Sequence, residues 1–212
     1  LHGEKERPVS VAYGLKKSVY LNVTASCTND CVFCARLRSN NQLYGYNLNL
    51  VVDPPVDRMV AAVNGILASG RFEEIVFCGY GEPTARLKAV KETADALRGH
   101  GLPLRLNTNG HGNMINRRDI VPELEERFSR VSISLNAPDR DAYTAICRPD
   151  AGEKAYDAVL DFIRRAAASR MECMVTAVDY PGVDIEATRR LVEGIPGARF
   201  RARRYHFTGA SG

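Results

Sequence analysis

Three cysteines lie within eight residues, Cys27-Thr28-Asn29-Asp30-Cys31-Val32-Phe33-Cys34, just after an apolar run of Val19, Tyr20, Leu21 and Val23. Thiolates with three and then two intervening residues can close around one soft metal centre without straining the backbone. The number of donors matters as much as their spacing. A closed zinc or iron–sulfur site takes four protein ligands. Three thiolates on a four-iron cluster leave one iron open to a small molecule, which a reactive centre needs and a structural one avoids.

The elements that carry this loop alternate along the chain. Residues 9–13 and 18–24 read as short strands joined through Gly14-Leu15-Lys16-Lys17, a hairpin whose second strand runs into the cysteines. Residues 39–53 lack a helical period and read as a loop, with a short extended piece over 48–52. Pro54 and Pro55 then open a helix with Val56, Met59, Val60, Val63 and Leu67 on one face. Strands are expected at 75–78, 102–106, 131–135, 174–178 and 198–205, and helices at 84–98, 119–127, 139–147, 153–168 and 184–193. Six strands alternating with helices imply parallel pairing through right-handed crossovers. Runs such as Ile75-Val76-Phe77 suit a sheet covered on both faces. The pattern fits a partial barrel and an open doubly wound sheet alike. In either, ligands sit at the carboxyl ends of the strands.

The remaining polar motifs fall at those ends. Gly79-Tyr80-Gly81-Glu82-Pro83 follows the second core strand, Thr108-Asn109-Gly110 the third, and Ser134-Leu135-Asn136 ends the fourth. Small residues let a backbone be approached closely, and Glu82-Pro83 also suits the first turn of a helix. CxxxCxxC with an aromatic before the last cysteine resembles the signature of the radical S-adenosylmethionine (SAM) enzymes, and GYGEP resembles their glycine-glycine-glutamate motif with Tyr80 in place of a glycine. The wording CTNDCVFC, FCGYGEPT and SLNAPD is similar to the small radical SAM proteins associated with TatD-family hydrolases.

The resemblance implies an α/β fold, an incomplete six-stranded (β/α)6 TIM-like barrel with a short N-terminal hairpin strand, as a single domain over 1–212 (extension 1–17, barrel 18–205). It implies a [4Fe-4S] cluster on Cys27, Cys31 and Cys34 and SAM bound near Phe33, Gly79, Tyr80, Gly81, Glu82, Pro83, Thr108, Asn109, Ser134, Asn136 and Arg148. Phe33 would shield cluster and adenine, Ser134 and Asn136 meet the ribose and carboxylate, and Arg148 pair with the SAM carboxylate. A plain alternative for Arg148 is a solvated residue ending a helix. The implied reaction is reductive cleavage of SAM to a 5′-deoxyadenosyl radical that takes hydrogen from a substrate. A one-electron donor such as flavodoxin or ferredoxin, and a TatD-family hydrolase, are the implied partners.

Composition bounds the rest. Length and a hydrophobic content of 45% suit one soluble domain with a sizeable core. No apolar run is long enough to span a bilayer and no signal-peptide pattern opens the chain, so reduced thiols and a cytoplasmic location are expected. A net charge of +4 permits an anionic substrate and does not by itself argue for nucleic acid. Cys78, Cys147 and Cys173 read as buried small hydrophobes, although any of them as a fourth ligand would close the open iron. Arg199, Arg201 and Arg203 share one face of the last strand, as an edge guard or as a basic wall toward an anionic substrate. Tyr44 and Tyr46 are placed to cover the site, and His100 and His111 read as surface residues. Two other functions remain open: an enzyme like 7-carboxy-7-deazaguanine synthase acting on a heterocycle, and a zinc-binding interaction module.

Overall fold

The computed structural model describes residues 8–38 and 42–205. The first strands, β1 (Ala12–Leu15) and β2 (Ser18–Asn22), form the expected hairpin with a tighter turn than the sequence suggests. Leu15 still pairs with Ser18, leaving Lys16-Lys17 as a two-residue loop in which Lys16 adopts a φ of +53°. β2 leads through the cysteines to a short helix α1 (Ala35–Arg38) and a small ribbon of β3 (Gln42–Leu43) and β4 (Tyr46–Asn47). The extended piece expected over 48–52 is not a strand; Leu48 and Leu50 are buried there and pin the loop down.

Helix α2 (Val56–Leu67) then opens the regular alternation. It continues through β5 (Glu74–Cys78), α3 (Leu87–Leu97), β6 (Leu104–Thr108), α4 (Gly112–Asn116), α5 (Val121–Glu125) and β7 (Arg130–Ser134). The last elements are α6 (Arg140–Cys147), α7 (Lys154–Ala168), β8 (Glu172–Asp179), α8 (Ile185–Glu193) and β9 (Ala198–Arg204). β6 begins two residues later than expected because Pro103 has no N–H to give to a ladder. Helices α1 and α4 escape the sequence reading, since four or five residues show no period. Among the described residues no helix is long and apolar enough to cross a membrane.

Among the described residues one sheet has seven strands, six that alternate with helices and the hairpin strand β1 at its edge, in the order β1-β2-β5-β6-β7-β8-β9. β1 is antiparallel to β2 and every other pair is parallel. The order follows the chain without the reversal a doubly wound sheet requires, so crossovers of one hand lay the helices on a single face. Register puts Val19, Leu21, Ile75, Phe77, Leu106, Val131, Ile133 and Val175 on that face. All are buried in one core with Met59 and Val63 of α2, Val90 and Leu97 of α3, and Phe162 and Ile163 of α7.

The opposite face is polar: Tyr20, Arg105, Asn107, Ser132, Ser134 and Thr176 alternate with the apolar set. The expectation of two apolar faces therefore fails. Ile75-Val76-Phe77 is continuous, but β6 and β7 alternate, because helices cover only one side of them.

At the amino ends of the strands this polar face is held by charge. Arg105 donates to both oxygens of Glu74, at 2.9 and 3.2 Å, and Ser18 Oγ donates to the same carboxylate at 2.7 Å. Arg130 bridges Glu74 at 3.7 Å and Glu172 at 3.1 Å, and Arg199 joins Glu172 at 3.2 Å. Burial alone would raise the Glu74 pKa, but the bonds from Arg105 and Ser18, with the charges of Arg105 and Arg130, hold it below the usual carboxylate range. Replacing Glu74 with Gln leaves two arginines without their shared anion. Urea unfolding of E74Q should show a loss of about 2 kcal/mol, the scale of charge-assisted bonds in a partly buried site.

Candidate functional site

At the carboxyl ends of the strands the polar face opens into a cavity of about 460 Å³. Its lining gathers residues distant in sequence: Cys27, Cys31, Phe33 and Cys34 after β2, and Gly79, Tyr80, Gly81 and Glu82 after β5. Thr108 and Asn109 enter from the end of β6, and Ser134 and Asn136 from the end of β7. Two candidates lie off this wall. Pro83 is buried as the first residue of a 3₁₀ turn, Pro83–Arg86. Arg148 is exposed after α6 with a φ of +46°.

The cysteine loop is held by backbone on both sides. Val23 N–H donates to Cys78 O, Gly81 N–H to Thr24 O, and Glu82 N–H to Ser26 O, at 2.8, 2.9 and 2.7 Å. From α6, Val32 N–H donates to Ile146 O at 3.0 Å, and Asp30 N–H to Cys147 O at 3.1 Å and Arg148 O at 3.2 Å. The two glycines are explained here. A Cβ on Gly81 would stand 2.1 Å from Ser26 O, and one on Gly79 would stand 2.6 Å from Thr24 O. The close approach that the GYG turn permits is by the cysteine loop itself. Arg148 likewise braces this loop through its carbonyl.

Glu82, 1% exposed, ties the rim together. Its Oε1 accepts from Thr84 N–H (2.9 Å), Thr84 Oγ1 (2.6 Å) and Thr108 Oγ1 (2.8 Å), and its Oε2 from Asn109 N–H (2.6 Å). Burial pushes its pKa up, and these bonds pull against that. Asn136 adopts a φ of +64°, its Oδ1 accepting from Val178 N–H at 3.1 Å and its Nδ2 donating to Cys147 Sγ at 3.7 Å. Asparagine tolerates this left-handed geometry better than most side chains.

Behind the cysteines lies a hydrogen-bonded chain that the sequence reading did not find. Asn109 Nδ2 donates to Thr28 Oγ1 at 3.0 Å and reaches Cys27 Sγ at 3.8 Å. Thr28 Oγ1 meets His111 Nδ1 at 2.8 Å, His111 Nε2 meets Tyr143 OH at 2.8 Å, and Asn29 Nδ2 donates to the same hydroxyl at 3.3 Å. His111 is thus fully buried, not a surface residue. A lone histidine carries no period or spacing that reveals such partners. Tyr13, Tyr20, Cys78, Arg105, Asn107 and Ser132 also line the cavity. The alternation of β6, with Arg105 and Asn107 between Leu104 and Leu106, is the signal that could have found two of them. Tyr44 lines the cavity too, while Tyr46 packs against Tyr13 with ring centroids 4.8 Å apart.

All six cysteines are free thiols. Burial pushes Cys27 up to about 11, with the Asn29 amide pulling it down, and raises Cys78 to about 12. A hydrogen bond with Cys147, then burial, raises Cys31. Loading a metal centre here therefore releases protons. Cys147 and Cys173 are buried as expected; Cys78 is only half-buried. Cys147 touches Cys31 from the core side and is not part of the cavity wall. Among the described residues no three His, Cys, Asp or Glu side chains converge enough to hold one metal ion. An iron–sulfur cube asks less, because each thiolate meets its own iron. Three soft donors lining one cavity fit that group.

Two measurements check this construction. Gly81→Ala should displace the cysteine loop, destabilise the fold by about 2 kcal/mol in urea unfolding as overpacked sites do, and lower the iron bound after reconstitution. Burial depresses the His111 pKa from 6.5 to about 4. Between those values the unfolded chain binds more protons, so thermal stability should fall as pH drops through that window. His111→Gln should flatten that dependence.

Comparisons with known proteins agree with the geometry. The chain is 28% identical over 190 residues to a probable dual-specificity RNA methyltransferase RlmN 1 of Opitutus terrae, covering 84% of this chain and 50% of that protein. It is 30% identical over 146 residues to the corresponding RlmN of Thermobifida fusca, covering 62% of this chain and 37% of the relative. The chain thus spans half or less of the curated relatives it matches. A radical SAM methyltransferase structure from Sphaerobacter thermophilus superposes with a TM-score of 0.63 at 19% identity, over 90% of this chain and 57% of that one. The family model of the radical SAM superfamily matches residues 21–194, from within β2 to just past α8. The chain belongs to the radical SAM superfamily, enzymes that use a [4Fe-4S] cluster and S-adenosylmethionine.

Proposed function

We propose that this chain cleaves SAM reductively and directs the resulting 5′-deoxyadenosyl radical to a hydrogen atom of its substrate. The observation that carries this reading is the shared wall: the three cysteines and the ends of β5, β6 and β7 face one cavity. When bound, the cluster supplies an electron to SAM and SAM supplies the radical; the protein's share is placement and exclusion of competing reactions. Cys27, Cys31 and Cys34 would hold the cluster, leaving one iron for SAM. Gly79, Tyr80 and Gly81 would offer backbone groups to SAM, Ser134 and Asn136 short polar ones, and Phe33 an apolar cover beside the sulfurs. Glu82 holds Thr108 and Asn109 in place and keeps its carboxylate on the cavity wall. Arg148 would reach the SAM carboxylate only by swinging in from its exposed position.

The strand order without reversal supports a partial barrel around this cavity. The electron would come from a flavodoxin or ferredoxin. The wording of the motifs supports the TatD-associated subgroup, and the curated relatives favour a second reading, methyl transfer to RNA, because both are named RNA methyltransferases.

Anaerobic reconstitution with iron and sulfide, followed by SAM and dithionite, tests both. The first reading expects a brown protein that forms 5′-deoxyadenosine and methionine. Cys31→Ala should drop both bound iron and nucleoside product to background; normal iron in that variant would overturn the assignment. Accumulation of S-adenosylhomocysteine with an RNA acceptor would favour methyl transfer. A colourless zinc protein would exclude both, since Zn²⁺ is d¹⁰ and has no visible band.

A further inference from the structure

The arginines of β9 differ in what surrounds them. Arg199 pairs with Glu172 in the charged network at the amino ends of the strands. Arg201 and Arg203, one and two pleats further along the same face, line the cavity with the three cysteines, as does the adjacent Arg204, and Arg201 also borders the cleft that Glu74 and Glu172 line at the amino ends. Among the described residues neither has a carboxylate within ion-pair distance. Among the described residues Glu82 is the one acid of the cavity wall, and its oxygens already serve Thr84, Thr108 and Asn109. Arg105, also on the wall, is held by Glu74. The cavity therefore carries positive charge that its own residues do not balance.

β9 is an edge of the sheet and the Arg201 and Arg203 side chains are both exposed, so they can guard that edge against pairing. They also line the cavity, where two like charges at successive positions of one face repel until an anion lies between them. Register places Arg201 in one cross-sheet row with Thr176 and Ser134. With strands about 4.8 Å apart, its Cα lies about 10 Å from that of Ser134, so a guanidinium can act on a molecule lying beside SAM. Two uncompensated guanidinium groups match the charge of a phosphate, which they can grip through paired N–H bonds. Tyr13 and Tyr20 share the wall.

We propose that Arg201 and Arg203 form a subsite for a phosphate group of the substrate. The proposal rests on the reading of the cavity as the radical SAM site, because that makes its second occupant a substrate. The phosphate could come from a small phosphomonoester or from an RNA strand, and the chemistry at the arginines is the same.

The test titrates reconstituted protein carrying SAM with two probes, ribose 5-phosphate and a six-nucleotide RNA, by calorimetry. Saturable binding of at least one is expected. The double variant R201Q/R203Q should weaken it about tenfold or more, the scale of charge-assisted hydrogen bonds, while R199Q retains it. R201K/R203K, which keeps charge and stem but loses the planar fork, should fall between and covers failure of the Gln variant to fold. Binding of ribose 5-phosphate assigns a small substrate, and binding of RNA alone assigns a strand; either supports the subsite. Three results overturn it: neither probe binds, R199Q weakens binding as much as the double variant, or the double variant loses SAM affinity by the same factor. The last would give the wall to the SAM carboxylate. Formation of 5′-deoxyadenosine by the wild type is measured separately. A protein that forms it without binding either probe loses the subsite alone, and one that binds through Arg201 and Arg203 without forming it loses the radical reading alone.

Discussion

The contact on which the site depends is the seat of the Ser26 carbonyl against Gly81, where no side-chain carbon can fit. That proximity lets Gly81 N–H reach Thr24 O and Glu82 N–H reach Ser26 O. These bonds hold the peptide carrying Cys27 across the end of β5. Once Glu82 is fixed there, its carboxylate collects Thr84, Thr108 and Asn109 and so carries the alignment on to β6. Asn109 then returns to the cysteine loop through Thr28. The cavity rim is thus a closed circuit of hydrogen bonds. A loop of short and polar residues, which could not fold on hydrophobic burial alone, is positioned by it.

The sheet makes this circuit possible by treating its faces differently. With the strands in chain order, the helices gather on one side and bury one apolar set. The other side is left for chemistry, and it is graded along the strands. Near the amino ends, Glu74 and Glu172 are shared among Arg105, Arg130 and Arg199, so each of these arginines has an anionic partner. Near the carboxyl ends Glu82 stands among cysteine, serine, asparagine and arginine. The ion-paired end supports the fold, and the end with unpaired arginines meets ligands.

Much of this was legible in the residues. The CxxxCxxC loop, the GYGEP turn and the Ser134-Leu135-Asn136 strand end each announce a position at a strand terminus, because strand runs and turn residues are local signals. The long amphipathic helices α2, α3, α7 and α8 follow from their apolar spacing for the same reason. The family resemblance rested on these same residues, and the match over 21–194 agrees with it.

Only the tertiary structure decided the rest. Chain order in the sheet, and with it the bareness of one face, depends on parallel pairings between residues about 25 to 56 positions apart. No local window contains such a pairing. His111 looked like a surface residue because its partners, Thr28 and Tyr143, stand 83 and 32 positions away. The same holds for the arginines of β9. Their period of two shows that they share a face, but whether that face meets a carboxylate or a cavity is set by neighbouring strands. Sequence specifies what each side chain can do; packing across the sheet decides which of them do it together.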